Sequence, residues 1–481
     1  MTADWFGATL SPIAAQETEE LPSDITSWVT RYGLSPMEGL FRPNKDEVWL
    51  QLCLVHGLRD KCAIVRRRLL PLASNWSDAP ARVRGSRLLH HARSFFPTLG
   101  TGVRWWWLGA QPGPGFLRYQ AASALFCLGM SAYFLLFNLY LMELGYGESF
   151  LGKVAGLISV GTLLGALPAA AITRRFGLRN TILIAILGAS TAAYCRVVYA
   201  SPGWLLTFAF IHGFCMSLWA VAYSPAITGL SREASRRMAF SLSGAIGISV
   251  GIFGGLVGGL LPGALGSKHA ALLVVAAFSA LGALPAAGLR FGEPARETAK
   301  IWPRSRFLVG ILAALGCWAI AVGLFNPFYN AYFLRLQVST ARIGLVHAVA
   351  QLTQVLAVLS APLILRRLGD AKGVAAMQLT TALALVALAT MTTGFGAAIA
   401  YTGYVSFQYM SDPGVLQMLM SGVKPGERSG ASALYFLVTS IAASVSALAG
   451  GAAISRFGYS PMLIAAAVIA TIAAILFRRL G

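Results

Sequence analysis

Charged residues are scarce in this chain. They make up only 12% of its 481 residues, whereas 56% are hydrophobic, and soluble domains average about 25% charged residues. This composition excludes an ordinary soluble domain. Cysteines are also few, and none of the six forms a C-x-x-C pair, which argues against a zinc ribbon or a redox dithiol.

Motifs for nucleotide and metal chemistry are absent as well. The chain contains no G-x-x-x-x-G-K-[ST] loop, so we expect no ATP hydrolysis by this chain itself. The apolar stretches lack Asp-x-x-Asp and His-Glu-x-x-His, although intramembrane catalysis would need clustered acids or metal ligands. We therefore predict that the protein is not an enzyme and that it has no catalytic residue, metal site or cofactor.

Long apolar stretches are what the chain does have. A helix needs about 20 apolar residues to cross the hydrocarbon core of a bilayer. These stretches are too long and too continuously apolar for barrel strands, in which polar and apolar residues alternate. The sequence therefore predicts twelve transmembrane helices, at residues 116–143, 150–172, 179–200, 203–229, 238–262, 269–290, 307–334, 341–365, 372–393, 396–421, 430–454 and 459–477.

Basic residues are distributed unevenly around these spans. Beyond residue 115 the chain has 25 Lys and Arg. Nineteen of them lie on one side of the spans, at the two ends of this region or in loops that follow even-numbered spans. Five lie on the other side, with the loops that follow odd-numbered spans. Positively charged loops stay in the cytoplasm, so we expect a multi-pass protein of the cell (inner) membrane with both termini cytoplasmic. The net charge of +20 then reflects topology, and we expect no nucleic-acid partner.

The two halves of the apolar region are related by a shift of 192 residues. This shift places Asn138 on Asn330 and Gly152 on Gly344, without a gap between them. A duplicated six-helix unit explains the matches, and such repeats are common in transporters. We predict an all-α membrane protein with two pseudo-repeated six-helix bundles at 116–292 and 307–481, a cytoplasmic linker at 293–306 and a polar N-terminal extension at 1–115.

The extension at residues 1–115 is mostly acidic in its first half and basic in its second half. No clear amphipathic period runs through it, so we expect a largely disordered cytoplasmic tail. A small regulatory domain, or sequence upstream of the true translation start, are the alternatives.

A recognisable motif follows the second span. From Ala170 it runs through Arg174, Arg175, Gly177 and Arg179, and it resembles the Gly-x-x-x-Asp-Arg-x-Gly-Arg-Arg loop of the major facilitator superfamily, with Arg174 in place of the Asp. Residues 424–430, Lys-Pro-Gly-Glu-Arg-Ser-Gly, are similar to that family's loop before the eleventh span. The resemblance implies a 12-helix secondary transporter with cytoplasmic gating loops, for which the candidates are Arg174, Arg175, Gly177, Arg179, Arg366, Arg367, Gly369, Glu427 and Arg428.

In that family the cavity lies between the first, fourth, seventh and tenth spans. Each of these spans here carries polar or aromatic side chains at helical spacing, which places them on one face of the helix. Polar groups inside a bilayer usually face a cavity or a partner helix. We therefore predict substrate contacts, with helix–helix hydrogen bonding as the alternative, at Ser131, Asn138, His212, Trp219, Tyr223, Asn326, Asn330 and Gln408.

Three further features left two interpretations each. Asp412 is an acidic residue well inside a span. Because burial disfavours the charged form of a carboxylate, Asp412 is the candidate for proton coupling. The alternative is a structural role, in which Asp412-Pro413 kinks the helix. For His347, Gln351 and Gln354 we favour an interface with the fifth span over the cavity edge. Arg196 is expected to extend to the lipid headgroups, with binding of an anionic solute as the alternative.

These features together predict a monomeric secondary transporter that moves a small organic solute across the lipid bilayer by alternating access. Proton-coupled efflux is the favoured mode. The scarcity of charge in the predicted cavity favours a neutral, amphipathic or aromatic solute. Two other classes remain open: a receptor or assembly factor that kept the fold but lost transport, and an intramembrane lipid-modifying enzyme.

Overall fold

The computed structural model describes residues 114–231, 236–291, 306–424 and 427–480. Nearly all of the predicted extension at 1–115 and of the predicted linker at 293–306 lies outside these residues. The described part of the chain consists of helices joined by short turns.

The first half contains six spans. They are formed by α1 (Pro114–Glu143), α2 (Glu148–Val198), α3 (Pro202–Leu230), α4 (Arg236–Leu265), and the pair α5 (Lys268–Ala280) and α6 (Ala283–Ala287). Helix α2 supplies both the second and the third span, because Gly177 interrupts it with φ 78° and ψ 158°. Glycine tolerates this conformation because it has no Cβ.

The second half repeats this order. It contains α7 (Arg306–Gly323), a 3-10 turn (Asn326–Phe328), α8 (Tyr329–Arg335), α9 (Thr340–Leu368), α10 (Asp370–Thr390), α11 (Gly394–Met410), α12 (Asp412–Ser421), α13 (Arg428–Phe457) and α14 (Tyr459–Arg478). The seventh span is thus broken at Pro327, which lacks an amide hydrogen for the helix, and the tenth span is broken at Ser411.

All twelve predicted spans are present. Eleven stretches of helix in the described residues are long and apolar enough to cross a membrane, and the tenth span is divided into α11 and α12, neither of which is long enough alone. The predicted fold class, an all-α membrane protein with two six-helix halves, is confirmed.

The backbone also shows the duplication. Residues with a positive φ are uncommon and mark sharp turns of the backbone. In the described part of this chain, each residue with a positive φ in one half has a counterpart 192 residues away in the other half, so the two halves turn at equivalent points. Within the described residues, the positive-φ pairs are Gly145 and Gln337, Gly177 and Gly369, and Gly266 and Gly458.

The surface of the bundle is strongly apolar. On α9, for example, Leu352, Leu356, Leu359 and Leu363 are 53–71% exposed. Side chains of this kind at i, i+4 and i+7 would be unfavourable in water, but they match the hydrocarbon of a bilayer. Helices satisfy their own backbone hydrogen bonds, as a lipid-facing surface requires.

Candidate functional site

Two asparagines related by the 192-residue shift join the halves. Asn138 Nδ2 donates to Asn330 Oδ1 (3.2 Å) and to the carbonyl oxygen of Pro327 (2.6 Å). Asn330 Nδ2 donates in turn to the carbonyl oxygen of Leu135 (2.9 Å). Leu135 and Pro327 are themselves 192 residues apart, so the hydrogen bonds are reciprocal. We call Asn138 and Asn330 the asparagine clamp.

An ion pair lies at the same end of the bundle. Arg335, the last residue of α8, donates from Nε and Nη2 to the two carboxylate oxygens of Glu148 (2.8 and 3.1 Å). Tyr459 donates to the same carboxylate at 3.5 Å. The amide of Ser149 donates to Ser455 Oγ at 2.8 Å. Bidentate pairing of this kind fixes geometry as well as charge, so several contacts hold the halves together here.

This end carries the loops that follow odd-numbered spans, and we call it the Arg-poor end. The opposite end, with the loops after even-numbered spans, is the Arg-rich end. Of the residues that join the halves at the Arg-poor end, the sequence singled out Asn138 and Asn330, as equivalent positions and as candidate substrate contacts. Arg335, Glu148 and Tyr459 were missed because charged and aromatic residues at span ends are ordinary.

Glycines bring the helix backbones of the two halves together. A Cβ added to Gly152 on α2 would lie 3.0 Å from the Cα of Gly451 on α13. A Cβ added to Gly259 on α4 would lie 2.9 Å from the Cα of Gly344 on α9. The two contacts are related by the 192-residue shift. Small residues allow this close approach in membranes, so two helix pairs close the interface symmetrically.

The contact between α4 and α9 continues only to about the middle of these helices. A Cβ on Gly255 would meet His347 at 2.8 Å, and one on Gly251 would meet Gln351 at 3.3 Å. Further along α4, Gly244 has nothing within 4 Å of such a Cβ, and neither does Gly247. His347 and Gln351 therefore lie at the interface with the fifth span. On α4, the contact between the halves ends before the Arg-rich end.

The predicted polar residues of the first and fourth spans lie in different surroundings. Ser131 Oγ donates to the carbonyl oxygen of Gly251 on α4 at 3.5 Å. His212 is fully buried, with Nδ1 3.1 Å from the carbonyl oxygen of Ala189. Trp219 is also buried, whereas Tyr223 is only partly buried. The structure thus brings Asn138 to the second half and keeps His212 and Trp219 within the first.

Arg196 does not extend to the headgroups, so that expectation is wrong. Its side chain is 0% exposed. The guanidinium carbon lies 5.0 Å from the ring centre of Tyr133 and 4.5 Å from that of Phe137, both on α1. Its guanidinium nitrogens have no hydrogen-bond partner among the described residues. The attraction of a cation to aromatic faces offsets part of the cost of burying this side chain.

In the second half, the polar residues of the seventh span have separate partners. Asn326 accepts a hydrogen bond from Tyr404 on α11 at 2.7 Å, whereas Asn330 reaches across to the first half. Tyr329 stacks between His347 and Tyr401, with ring centres 5.5 and 5.1 Å apart. This aromatic stack packs the seventh, eighth and tenth spans together behind the asparagine clamp.

Gln408 and Asp412 lie one turn apart, on either side of the break in the tenth span. Gln408 is 6% exposed, and its Oε1 has no hydrogen-bond partner among the described residues. Asp412 is partly buried at the start of α12. No basic residue in the described part of the chain lies within ion-pair distance of it. Tyr409 and Tyr435 are close enough to interact electrostatically with its carboxylate.

The predicted gating residues all lie at the Arg-rich end. Gly177 and Gly369 form the breaks between neighbouring spans. The arginines next to these breaks are exposed and form no ion pair among the described residues: Arg174, Arg175, Arg179, Arg366 and Arg367. Glu427 precedes α13, and Arg428 is its first residue. Their gating role stays a prediction.

Two pseudo-symmetric six-helix halves that meet through paired helices define a multi-pass membrane protein of the major facilitator fold. Residues 121–318 match the model described as Major Facilitator Superfamily. No curated protein matches the chain significantly by sequence.

Solved structures show the same fold. The chain is similar to two crystal structures of the nucleoside transporter NupG. The first, of a mutant, matches with a TM-score of 0.66 and 15% identity, and the match covers 76% of this chain and 99% of the other. The second structure matches with a TM-score of 0.63 and 14% identity, and the match covers 76% of this chain and 98% of the other. It is also similar to a bacterial homolog of the human lysosomal transporter Spinster in an inward-facing and occupied conformation. That match has a TM-score of 0.61 and 15% identity and covers 76% of this chain and 96% of the other.

Proposed function

We propose that the chain is a secondary transporter that moves a small organic solute by alternating access. The observation that carries the proposal is the one-sided contact between the halves. The asparagine clamp, the Glu148–Arg335 pair and the glycine contacts of α4 and α9 extend from the Arg-poor end to about the middle. Rigid halves joined at one end can rock about a central site, as repeats in transporters do.

The bias of basic residues supports an orientation with the Arg-rich end in the cytoplasm. In this orientation the first and the last helix of the bundle have their chain termini on the cytoplasmic side. The Arg-poor end, where the halves are in contact, then faces the outside, so the state described here is closed toward the outside. A cytoplasmic solute can enter from the end at which Gly244 and Gly247 have open space. This favours efflux as the direction of transport.

Asp412 is the proposed coupling residue for protons. Among the described residues it is the acidic side chain that lies away from the ends of the spans. Its carboxylate has no basic partner there, so a proton can bind and leave without breaking an ion pair. Tyr409 and Tyr435 are the titratable groups adjacent to it.

The proposal is tested by locking the interface. Ser149→Cys and Ser455→Cys introduce two cysteines where the backbone amide of residue 149 lies 2.8 Å from the side-chain oxygen of Ser455 in the other half, in a chain whose native cysteines are replaced. In proteoliposomes assayed with a panel of radiolabelled nucleosides, amino acids and aromatic amines, oxidation should abolish flux and a reductant should restore it. Either single-cysteine variant should be insensitive to the oxidant.

Two results would contradict transport by alternating access. Undiminished flux in the fully cross-linked protein would show that the halves need not separate. If the unlocked protein moves no member of the panel and instead alters its lipid, it is an enzyme; if it does neither, it is a receptor or an assembly factor.

A further inference from the structure

Two oxygen acceptors on the tenth span, without a partner in the described part of the chain, form a local site. Gln408 and Asp412 are four residues apart, and this spacing places their side chains on one side of a helix. Helical geometry persists through the break, because Ser411 has φ −76° and ψ −24°. Buried acceptors without a donor are unfavourable, and Gln408 Oε1 is buried and unpaired among the described residues. Among the described residues, Gln408 Oε1 therefore lacks a hydrogen-bond donor.

The site carries a negative charge when Asp412 is ionised. Asp412 has no basic residue within ion-pair distance in the described part of the chain. Arg196, the buried cation of the first half, is enclosed by Tyr133 and Phe137 and is not paired with Asp412. A donor that is also a cation would satisfy both acceptors, because hydrogen bonds between ionised groups are the stronger ones.

The surroundings of the two acceptors are aromatic and apolar. Tyr409 and Tyr435 interact electrostatically with Asp412, Tyr435 on α13 is partly buried, and Leu416 follows Asp412 by one turn on α12. Aromatic faces attract organic cations, whereas a small hydrated ion gains little from them. The body of the ligand is therefore apolar or aromatic.

We infer that Gln408 and Asp412 bind an amphipathic organic cation through its amine N–H donors. This inference rests on the proposed transport function, and it replaces the neutral solute expected from the sequence with a cationic one. The amine donates to Gln408 Oε1 and to the Asp412 carboxylate, while its apolar body lies against the neighbouring rings.

Equilibrium binding to the purified full-length protein tests the inference without requiring transport. The probe is ethidium, an aromatic cation with amino donors, and its fluorescence anisotropy is recorded as protein is added. Phenanthridine, a neutral relative at neutral pH, serves as the uncharged comparison. We expect ethidium to bind and Asp412→Asn to weaken its binding at least about tenfold. Gln408→Leu should weaken it roughly threefold, and Asp412→Glu should largely restore it.

Asp370→Asn is the matched control. Asp370 lies at the start of α10 and accepts a hydrogen bond from Gln417 at 3.0 Å, so the same chemical change is made outside the site. It should leave ethidium binding within about twofold of the original. Phenanthridine binding should not respond to Asp412→Asn. Size-exclusion chromatography and thermal unfolding confirm that each variant is folded.

Four results would overturn the inference. They are the absence of ethidium binding, wild-type affinity in Asp412→Asn, an equal loss in Asp370→Asn, and an equal loss of phenanthridine binding. Failure here is distinguishable from failure of the proposed function, since binding of the cation without flux would contradict transport alone. Flux of another solute without cation binding would contradict this inference alone.

Discussion

At the scale of single residues, Arg196 shows how a membrane protein holds a buried charge. Removing an ion from water costs several kcal/mol even after relaxation, whereas a desolvated cation–π contact contributes about 2 kcal/mol. The rings of Tyr133 and Phe137 therefore offset only part of the cost. The positive charge of Arg196 is not what stabilises the first half.

We predict that Arg196→Met leaves the free energy of unfolding unchanged or raises it by about 1 kcal/mol, since an apolar side chain of similar length fills the same space. Arg196→Lys should lower it by roughly 2 kcal/mol, because Lys keeps the charge but loses the planar stacking of the guanidinium. Thermal unfolding in detergent measures both.

Arg179→Met is the matched control, because Arg179 is exposed on the same helix; it should change little. Strong destabilisation by Arg196→Met would contradict this account of Arg196 and indicate an anionic partner.

The 192-residue shift singled out Asn138 and Asn330 as equivalent positions, and the structure places them in contact. Their predicted contact with a substrate stays a prediction. No comparable pattern existed for Arg196, because its environment depends on how α2 is rotated against α1. Sequence spacing gives the face of a helix but not which neighbour that face meets.

At the scale of the helices, glycines decide where the halves touch. Gly259 on α4 meets the backbone of α9, whereas Gly247, three turns away on the same helix, has open space beside it. The two positions are chemically equivalent but differ in what a side chain would contact. They allow a comparison within a single helix.

We predict that Gly259→Val forces α4 and α9 apart and opens the Arg-poor end. Overpacking costs about 1–3 kcal/mol, so the cross-linking of Ser149→Cys with Ser455→Cys should slow roughly tenfold. Gly247→Val should leave the cross-linking rate unchanged. Equal rates in both variants would show that the glycine contact does not control closure.

Helix positions could be predicted well from the sequence, because the length of an apolar stretch is set by the bilayer. The continuity of α2 through Gly177 was less visible, since a loop and a kinked helix have similar composition there. Pro327 and Pro413 indicated the breaks in the seventh and tenth spans. They did not indicate which new contacts the breaks would allow. At Pro327 the break presents a carbonyl oxygen that Asn138 binds.

At the scale of the whole molecule, symmetry and its loss both matter. The asparagine clamp and the glycine contacts obey the 192-residue shift. The Glu148–Arg335 pair does not, because the equivalent positions hold Thr340 and Glu143. The ion pair is therefore an addition to a symmetric interface, and it favours closure of the Arg-poor end in particular.

Distances measured at both ends of one molecule test the central claim most directly. Spin labels at Gly203 and Phe395, exposed and 192 residues apart, report on the Arg-poor end, and labels at Arg179 and Lys372 report on the Arg-rich end. Double electron–electron resonance should show opposite changes: in the Gly259→Val variant the first distance lengthens and the second shortens. Distances that stay fixed at both ends, or that lengthen together, would contradict alternating access.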